Sequence, residues 1–264
     1  MGTATFDFTG ESVLVTGTGR GYGRVLSLAF AASGVKVAMC DIDATSGKEA
    51  LDLLLDAGGD GFFTEADVSR EEQVAAFVDE AVARHGGLDA AINNACGEVA
   101  GPTLDLPSSD FDDLIDTNLK GVYYGMKHQV RAMREHGGGR IVNQSSVTSD
   151  IEGEQYNGLY GATKGGVNAL TKSAAVQVAR EGSRIDAIAS ALYDTPNDVW
   201  HRFSETQGLD FDHFMSFIPV KRYGSAAEIP GATMFLCSEA SGFVVGELLV
   251  CDGGWTIPAP GSSG

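Results

Sequence analysis

The chain reads as an α/β protein built on one doubly wound, Rossmann-like parallel sheet with helices on both faces. Three observations predict this. Short β-branched runs alternate with helical stretches along the chain, and such alternation implies βαβ units feeding a parallel sheet. Crossovers between parallel strands are right-handed, which puts helices on both faces. No linker or composition break interrupts the 264 residues, so a single domain over 1–264 is expected, long enough to bury a sizeable core.

Each element follows from its local pattern. Residues 11–16 (ESVLVT) read as the first, buried strand. Val25, Leu28, Ala29 and Ala32 recur at i, i+3, i+4 and i+7, which predicts one helix face. Residues 35–40 predict a second strand, and 44–56 a helix that Gly58 and Gly59 terminate. Val74, Phe77, Val78, Ala81 and Val82 mark another helical face, ended by Gly86 and Gly87. Strands are expected at 88–93 and 140–145, flanking a long helix around 111–136. A helix over 157–180 and strands over 184–189 and 247–251 complete the pattern.

Charge and composition narrow the function classes. The formal net charge is -18, which repels a phosphate backbone, so no nucleic-acid partner is expected. No stretch approaches the ~18 apolar residues of a membrane span. Residues 1–10 lack the basic region and apolar run of a secretory leader. A cytoplasmic protein with no membrane partner is expected. The four cysteines, Cys40, Cys96, Cys237 and Cys251, form no Cys-x-x-Cys pair and read as free thiols in a reducing compartment. The five histidines show no ligand spacing, so no metal is expected.

The first chemical motif follows the first strand, in the run Thr16-Gly17-Thr18-Gly19-Arg20-Gly21-Tyr22-Gly23. Gly17, Gly21 and Gly23 are spaced G-x-x-x-G-x-G. A tight turn must bring backbone N–H groups against a pyrophosphate at a helix N-terminus, and side chains there would block the approach. The second strand ends at Asp41. An acidic residue there accepts hydrogen bonds from ribose hydroxyls and repels a 2′-phosphate, which favours NAD over NADP. Asp43 suits the N-cap of the next helix better than Asp41 does. Arg20 pulls the other way, because a basic residue there could pair with a 2′-phosphate.

The second motif is Tyr160-Gly-Ala-Thr-Lys164, which places a tyrosine and a lysine on one helical face. A nearby ammonium is expected to lower the phenol pKa from its ordinary ~10, fitting it for acid–base work.

Taken in order, T-G-x-x-x-G-x-G, Asp67-Val68, Asn93-Asn94-Ala95, Asn118, Ser145-Ser146, Y-x-x-x-K and the closing Asp252-Gly253-Gly254 resemble the single-domain short-chain dehydrogenase/reductase family over residues 10 to 256. The resemblance implies NAD(H)-dependent hydride transfer between a secondary alcohol and a ketone, with a small-molecule substrate. It implies that Ser146 binds the substrate oxygen, with Ser145 as the less favoured neighbour. Tyr160 would transfer the proton. Lys164 would tune Tyr160 and bind the nicotinamide ribose. Asn118, on a kinked helix, would hold a water of the proton relay. Asp67 and Val68 would contact adenine, and Asn94 and Ala95 would run along the adenosine-side ribose. Thr195 would meet the carboxamide, and Arg20, Tyr22 and Ile42 would join Gly17, Gly21, Gly23 and Asp41 around the cofactor. A homo-oligomer, dimer or tetramer, is also implied, through helices around 108–135 and 157–180 that offer Ala174, Ala175 and Val178, although core contacts would use the same residue types.

The sequence departs from the family pattern near the expected nicotinamide. Cys96 stands for the usual glycine after Asn-Asn-Ala, Ser190-Ala191 for Pro-Gly, and Asp186 for asparagine. These changes read either as neutral drift or as a re-aimed pocket. They keep open a redox-neutral catalyst on the same scaffold (epimerase, dehydratase or cyclase). A non-catalytic NAD-binding sensor is a third reading. A substrate lid is expected over about 194–220, carrying Trp200, His201, Phe203, Phe211, His213, Phe214 and Phe217. Those aromatics read either as a pocket for a ring-bearing or hydrophobic substrate or as lid-to-body packing. Asp150, Glu152 and Glu154 lie before Tyr160 and read mainly as solvated charges, with a cationic or polyhydroxy substrate as the alternative.

Overall fold

The structure, a computed structural model, describes residues 5–149, 157–195, 215–216 and 218–257. β1 (Ser12–Thr16), β2 (Lys36–Asp41), β3 (Asp60–Glu65), β4 (Ala90–Asn93), β5 (Arg140–Ser146), β6 (Arg184–Ser190) and β9 (Leu248–Cys251) form one sheet. Its order is β3-β2-β1-β4-β5-β6-β9, and every pairing is parallel. Two short strands, β7 (Tyr193–Asp194) and β8 (Gly224–Ser225), pair separately. The chain order reverses between β1 and β4. Such a switch point opens a crevice at the carboxyl ends of the strands, where ligands bind doubly wound sheets.

Helices cover both faces, as the alternation predicts. α1 (Gly21–Ala32), α2 (Ala44–Asp56) and α7 (Ile229–Cys237) lie on one side. There Leu26, Phe30, Ala50, Leu54 and Met234 pack against Val13, Val15, Val37 and Met39 of the strands. α3 (Glu71–His85), α5 (Gly121–Arg134) and α6 (Gly158–Val178) cover the other side. Phe77, Val78, Met126, Met133 and Val167 meet Leu14, Ala91, Ile141 and Ile185 there. Strands buried on both faces favour apolar residues, which is why Val13, Leu14 and Val15 run unbroken at the centre of β1.

Several elements differ from the sequence reading. The buried residues of α1 are Gly23, Arg24, Leu26, Ser27 and Phe30; Val25, Leu28 and Ala29 pack only at its flank, and Ala32 is exposed. Alanines and half-buried residues share the apolar period without lying on the contact face. β3 was not expected: DGFFTE is an edge strand, with charged ends and little burial. α7, β7 and β8 were likewise unassigned. The helix expected over 111–136 is three pieces: α4 (Ser108–Leu114), a π-helical turn (Ile115–Lys120) and α5. Ala175 and Val178 are core residues rather than surface offered to a partner.

Candidate active site

The glycine run after β1 forms a bend whose geometry needs its glycines. Gly17 has φ +71, and a Cβ there would stand 2.7 Å from Ala95 Cα. A Cβ on Gly23 would stand 2.0 Å from the Gly17 carbonyl oxygen. These two close the loop onto β4 and α1. Gly21, at φ +54, faces open space. Arg20 gives α1 no side-chain cap, so the helix start keeps donors for an anion. A cradle closed behind and open in front fits a dinucleotide pyrophosphate. The second strand then brings Asp41 beside the loop: its Oδ2 accepts from Gly19 N at 2.8 Å and its Oδ1 from Asp43 N at 3.0 Å. Asp43 caps α2 through Thr45 N and Ser46 N, as expected.

The remaining cofactor candidates line the same crevice in different ways. Asn94 is a brace. Its Nδ2 donates to the Thr16 and Gly17 carbonyls at 2.9 and 3.1 Å, while Thr16 Oγ1 accepts from Asn94 N and Ala95 N, both at 3.0 Å. Asp67 organises its own turn, accepting from Ser69 N at 2.9 Å. Val68 packs on Gly121, where a Cβ would come within 3.0 Å. Ile42 and Arg20 are exposed. Tyr22 donates to the Ala191 carbonyl at 3.2 Å and meets the Tyr193 ring edge-on. Thr195 is buried just past β7.

β5 and α6 bring the catalytic candidates together. Tyr160 and Lys164 are both buried in the first turns of α6. Lys164, 1% exposed, holds its Nζ over the Tyr160 ring at 5.3 Å and donates to the Gln144 carbonyl at 2.7 Å. Ser146 hydrogen-bonds the Tyr160 phenol. Ser145 points the other way, donating to Asn168 Oδ1 at 2.6 Å, so of the two serines only Ser146 meets Tyr160. One expectation is corrected. Burial pushes the Tyr160 phenol well above its ordinary range, the ionisable groups of Cys96, Glu98 and Tyr22 act in the same sense, and the Ser146 hydrogen bond only partly opposes them. Burial also pulls the Lys164 ammonium down. In so dry a setting both groups favour their neutral forms.

Asn118 sits in the π-helical turn, fully buried. Its Oδ1 accepts from Gly97 N at 2.7 Å, and its Nδ2 donates to Gly97 O at 2.9 Å and Thr163 Oγ1 at 3.2 Å. The side chain therefore clamps the loop after β4 to α6. A π turn is a frequent mark of a functional kink.

The departures from the family pattern have partners of their own. Ser190 Oγ accepts from Gln144 Nε2 at 2.7 Å. Asp186 accepts from Glu247 N at 2.9 Å. Cys96 is exposed beside Tyr160. Residues 196–214 and 217, with Trp200, His201, Phe203, Phe211, His213, Phe214 and Phe217, lie outside the described residues, as do Asp150, Glu152 and Glu154. Two contributors escaped the sequence reading. Gly19 lets Asp41 approach, since a Cβ would stand 3.0 Å from Asp41 Oδ2; the glycine run could have flagged it. Gln144 anchors Lys164 through its backbone carbonyl, which no side-chain motif reports.

Comparison with known proteins places this geometry. A family model described as enoyl-(acyl carrier protein) reductase matches residues 17–256. The levodione reductase of Leifsonia aquatica is 36% identical over 95% of this chain and 96% of its own length, and a levodione reductase crystal structure superposes with a TM-score of 0.89, 34% identity and coverage of 96% and 100%. The 2,5-dichloro-2,5-cyclohexadiene-1,4-diol dehydrogenase of Sphingobium indicum is 34% identical, covering 95% and 98%. The cyclohexanol dehydrogenase of an Acinetobacter species is 34% identical, covering 94% and 96%. Structural neighbours include an NAD-bound xylitol dehydrogenase (TM-score 0.88, 31% identity, coverage 93% and 98%). Another is an NADP-bound putative 2-deoxy-d-gluconate 3-dehydrogenase from Agrobacterium tumefaciens (0.84, 29%, coverage 97% and 100%). The redox-neutral and sensor readings give way: the protein is an oxidoreductase that interconverts secondary alcohols and ketones with a nicotinamide cofactor. The chain belongs to the short-chain dehydrogenase/reductase family.

Proposed function

We propose that the protein oxidises and reduces ring-borne secondary alcohols and ketones with NAD(H), using Tyr160 as the acid and base. The observation that carries the reading is the convergence of the Ser146 and Tyr160 hydroxyls, with Lys164 buried beside them, next to the glycine cradle. The bound nicotinamide supplies the hydride acceptor or donor. The chain does the rest. Gly17, Arg20, Gly21, Tyr22 and Gly23 hold the pyrophosphate end, Asp41 and Ile42 the adenosine ribose, and Asp67 and Val68 the adenine. Asn94 and Ala95 keep the cradle closed, and Thr195 meets the carboxamide. In reduction Tyr160 gives its proton to the substrate oxygen; in oxidation it takes that proton back. Ser146 donates a hydrogen bond to the same oxygen, where negative charge develops. Lys164 binds the nicotinamide ribose. Asn118 fixes the kinked helix beside the proton path.

NAD is preferred because Asp41 ends the second strand beside the glycine loop, its carboxylate accepting from Gly19 N, where an acidic side chain repels a 2′-phosphate; exposed Arg20 pulls the other way. Ring substrates are favoured because cyclohexanol and a cyclohexadiene diol appear in the names of the relatives. The lid at about 194–220, a single domain, a cytoplasmic location and a homo-oligomer belong to the same reading. The test is to mix the protein with NADH or NADPH and cyclic ketones, and with NAD and cyclic alcohols, and to follow cofactor absorbance. Turnover with NADH that disappears in Tyr160→Phe, while NADH binding persists, is the expected result. Near-normal turnover in that variant removes Tyr160 from the mechanism.

A further inference from the structure

A hydroxyl has one proton to give and two lone pairs to fill. At Ser146 both acceptor positions are taken by one residue. Thr148 N donates to Ser146 Oγ at 3.2 Å, and Thr148 Oγ1 donates to the same oxygen at 3.0 Å. The backbone N–H can only donate, so the first contact has a fixed sense; it is the side-chain turn that serine makes with the residue two positions on. What remains to Ser146 is its own proton, shared between the Tyr160 phenol it meets and the substrate oxygen. We infer that Thr148 is a positioning residue for the reaction: by filling the acceptor positions of Ser146 it turns the serine into a dedicated donor aimed at the substrate oxygen. The inference rests on the assignment of Ser146 and Tyr160 above.

The rest of the turn shows why Thr148 stays in place. The 3-10 turn Val147–Ser149 is tied at both ends. Ser149 Oγ donates to the Ser146 carbonyl at 2.7 Å, and Asn168 Nδ2 donates to Ser149 Oγ at 2.9 Å. Asn168 in turn accepts from Ser145 at 2.6 Å. Gly161, beside Tyr160, completes the fit: a Cβ there would stand 2.7 Å from the Thr148 carbonyl oxygen. The turn that aims Ser146 and the helix that carries Tyr160 are thus packed as one unit.

Donors in series polarise one another in the same sense. The chain from Thr148 through Ser146 to the substrate oxygen therefore strengthens as that oxygen gains negative charge. An interaction that grows in the transition state acts on kcat more than on KM. It also acts only through Ser146, which a double-mutant cycle can isolate.

The experiment measures NAD-linked oxidation of cyclohexanol, or of the fastest alcohol in the cyclic panel, by the full chain and five variants. Thr148→Val should lower kcat about tenfold, the scale of one lost hydrogen bond, with KM within about twofold. Thr148→Ser should return kcat to within about twofold. Ser146→Ala should lose about a hundredfold or more. In the Ser146→Ala background, Thr148→Val should cost nothing further. Thermal midpoints are read alongside, and Thr148→Ala replaces the valine variant if that one unfolds early. Wild-type kcat in Thr148→Val, or an undiminished loss in the Ser146→Ala background, overturns the inference. Tyr160→Phe separates the two claims. If it stays active, the site assignment fails; if it is dead while Thr148→Val is normal, only the role of Thr148 fails.

Discussion

A phenol packed inside protein holds its proton more tightly than one in water, because the phenolate loses its hydration. Tyr160 is in that position, with Cys96, Glu98 and Tyr22 adding to the effect. The sign of the consequence differs for the two directions of the reaction. Carbonyl reduction uses the protonated phenol, so its kcat/KM should stay flat through neutrality. Alcohol oxidation uses the phenolate, so its kcat/KM should climb about tenfold per pH unit from about pH 6 to beyond about pH 8. A pH series in both directions checks this, and an oxidation plateau below about pH 7 would contradict it. At this scale the sequence was informative about which side chains meet and poor about their state. Tyr160, Lys164 and Ser146 were legible from spacing and motif order. The dominance of burial over the lysine charge was not, because burial depends on β5 and α6 enclosing the pair. The roles of Asn94 and Gln144 were hidden for a similar reason: their key partners are backbone atoms.

At the scale of elements, β6 carries an unusual buried charge. Asp186 is 1% exposed and accepts from Glu247 N, joining the middle of β6 to the start of β9. Burial raises its pKa above the ordinary carboxylate value, although the backbone donors and Arg184 oppose the shift. A carboxyl raised in the folded state binds its proton more readily there than in the unfolded chain. Its contribution is therefore most favourable in acid and is lost as pH rises through the folded value. Asp186→Asn keeps an acceptor oxygen and removes the titration. The variant should be more stable than the parent at pH ~7, with the gap closing toward pH ~4. Urea midpoints at the two pH values measure it, and a variant less stable at neutral pH would show that the charge itself holds β9. The sequence marked Asp186 as a departure but not its partner. Element positions were legible where an apolar, β-branched core marks the strand, as Val13 to Val15 do in β1 and Val37 to Cys40 in β2. β3 was missed because an edge strand with few buried residues lacks that signal, and the π turn at Asn118 was missed because its local sequence continues the helical period.

For the whole molecule, the doubly wound sheet was legible because every parallel crossover writes a strand and a helix into the sequence in turn. Which surfaces remain apolar was not, since core and interface draw on the same residue types. The fold separates them. Val176 of α6 is 78% exposed and Tyr123 of α5 is also exposed, on the outer side of that helical layer. On the far edge of the sheet, Phe243, Val245 and Val250 are exposed around β9, whose outer side is unpaired among the described strands. An uncovered edge strand flanked by apolar side chains favours association. Two separate patches, each pairing with its own copy about a two-fold axis, would close a tetramer. Light scattering should therefore give the mass of a tetramer of the 27.6 kDa chain. Val176→Asp and Phe243→Asp should each leave dimers, and the double variant monomers. A parent that is monomeric at micromolar concentration would remove the oligomer from the reading. A tetramer unaffected by either substitution would place its interfaces on other surfaces.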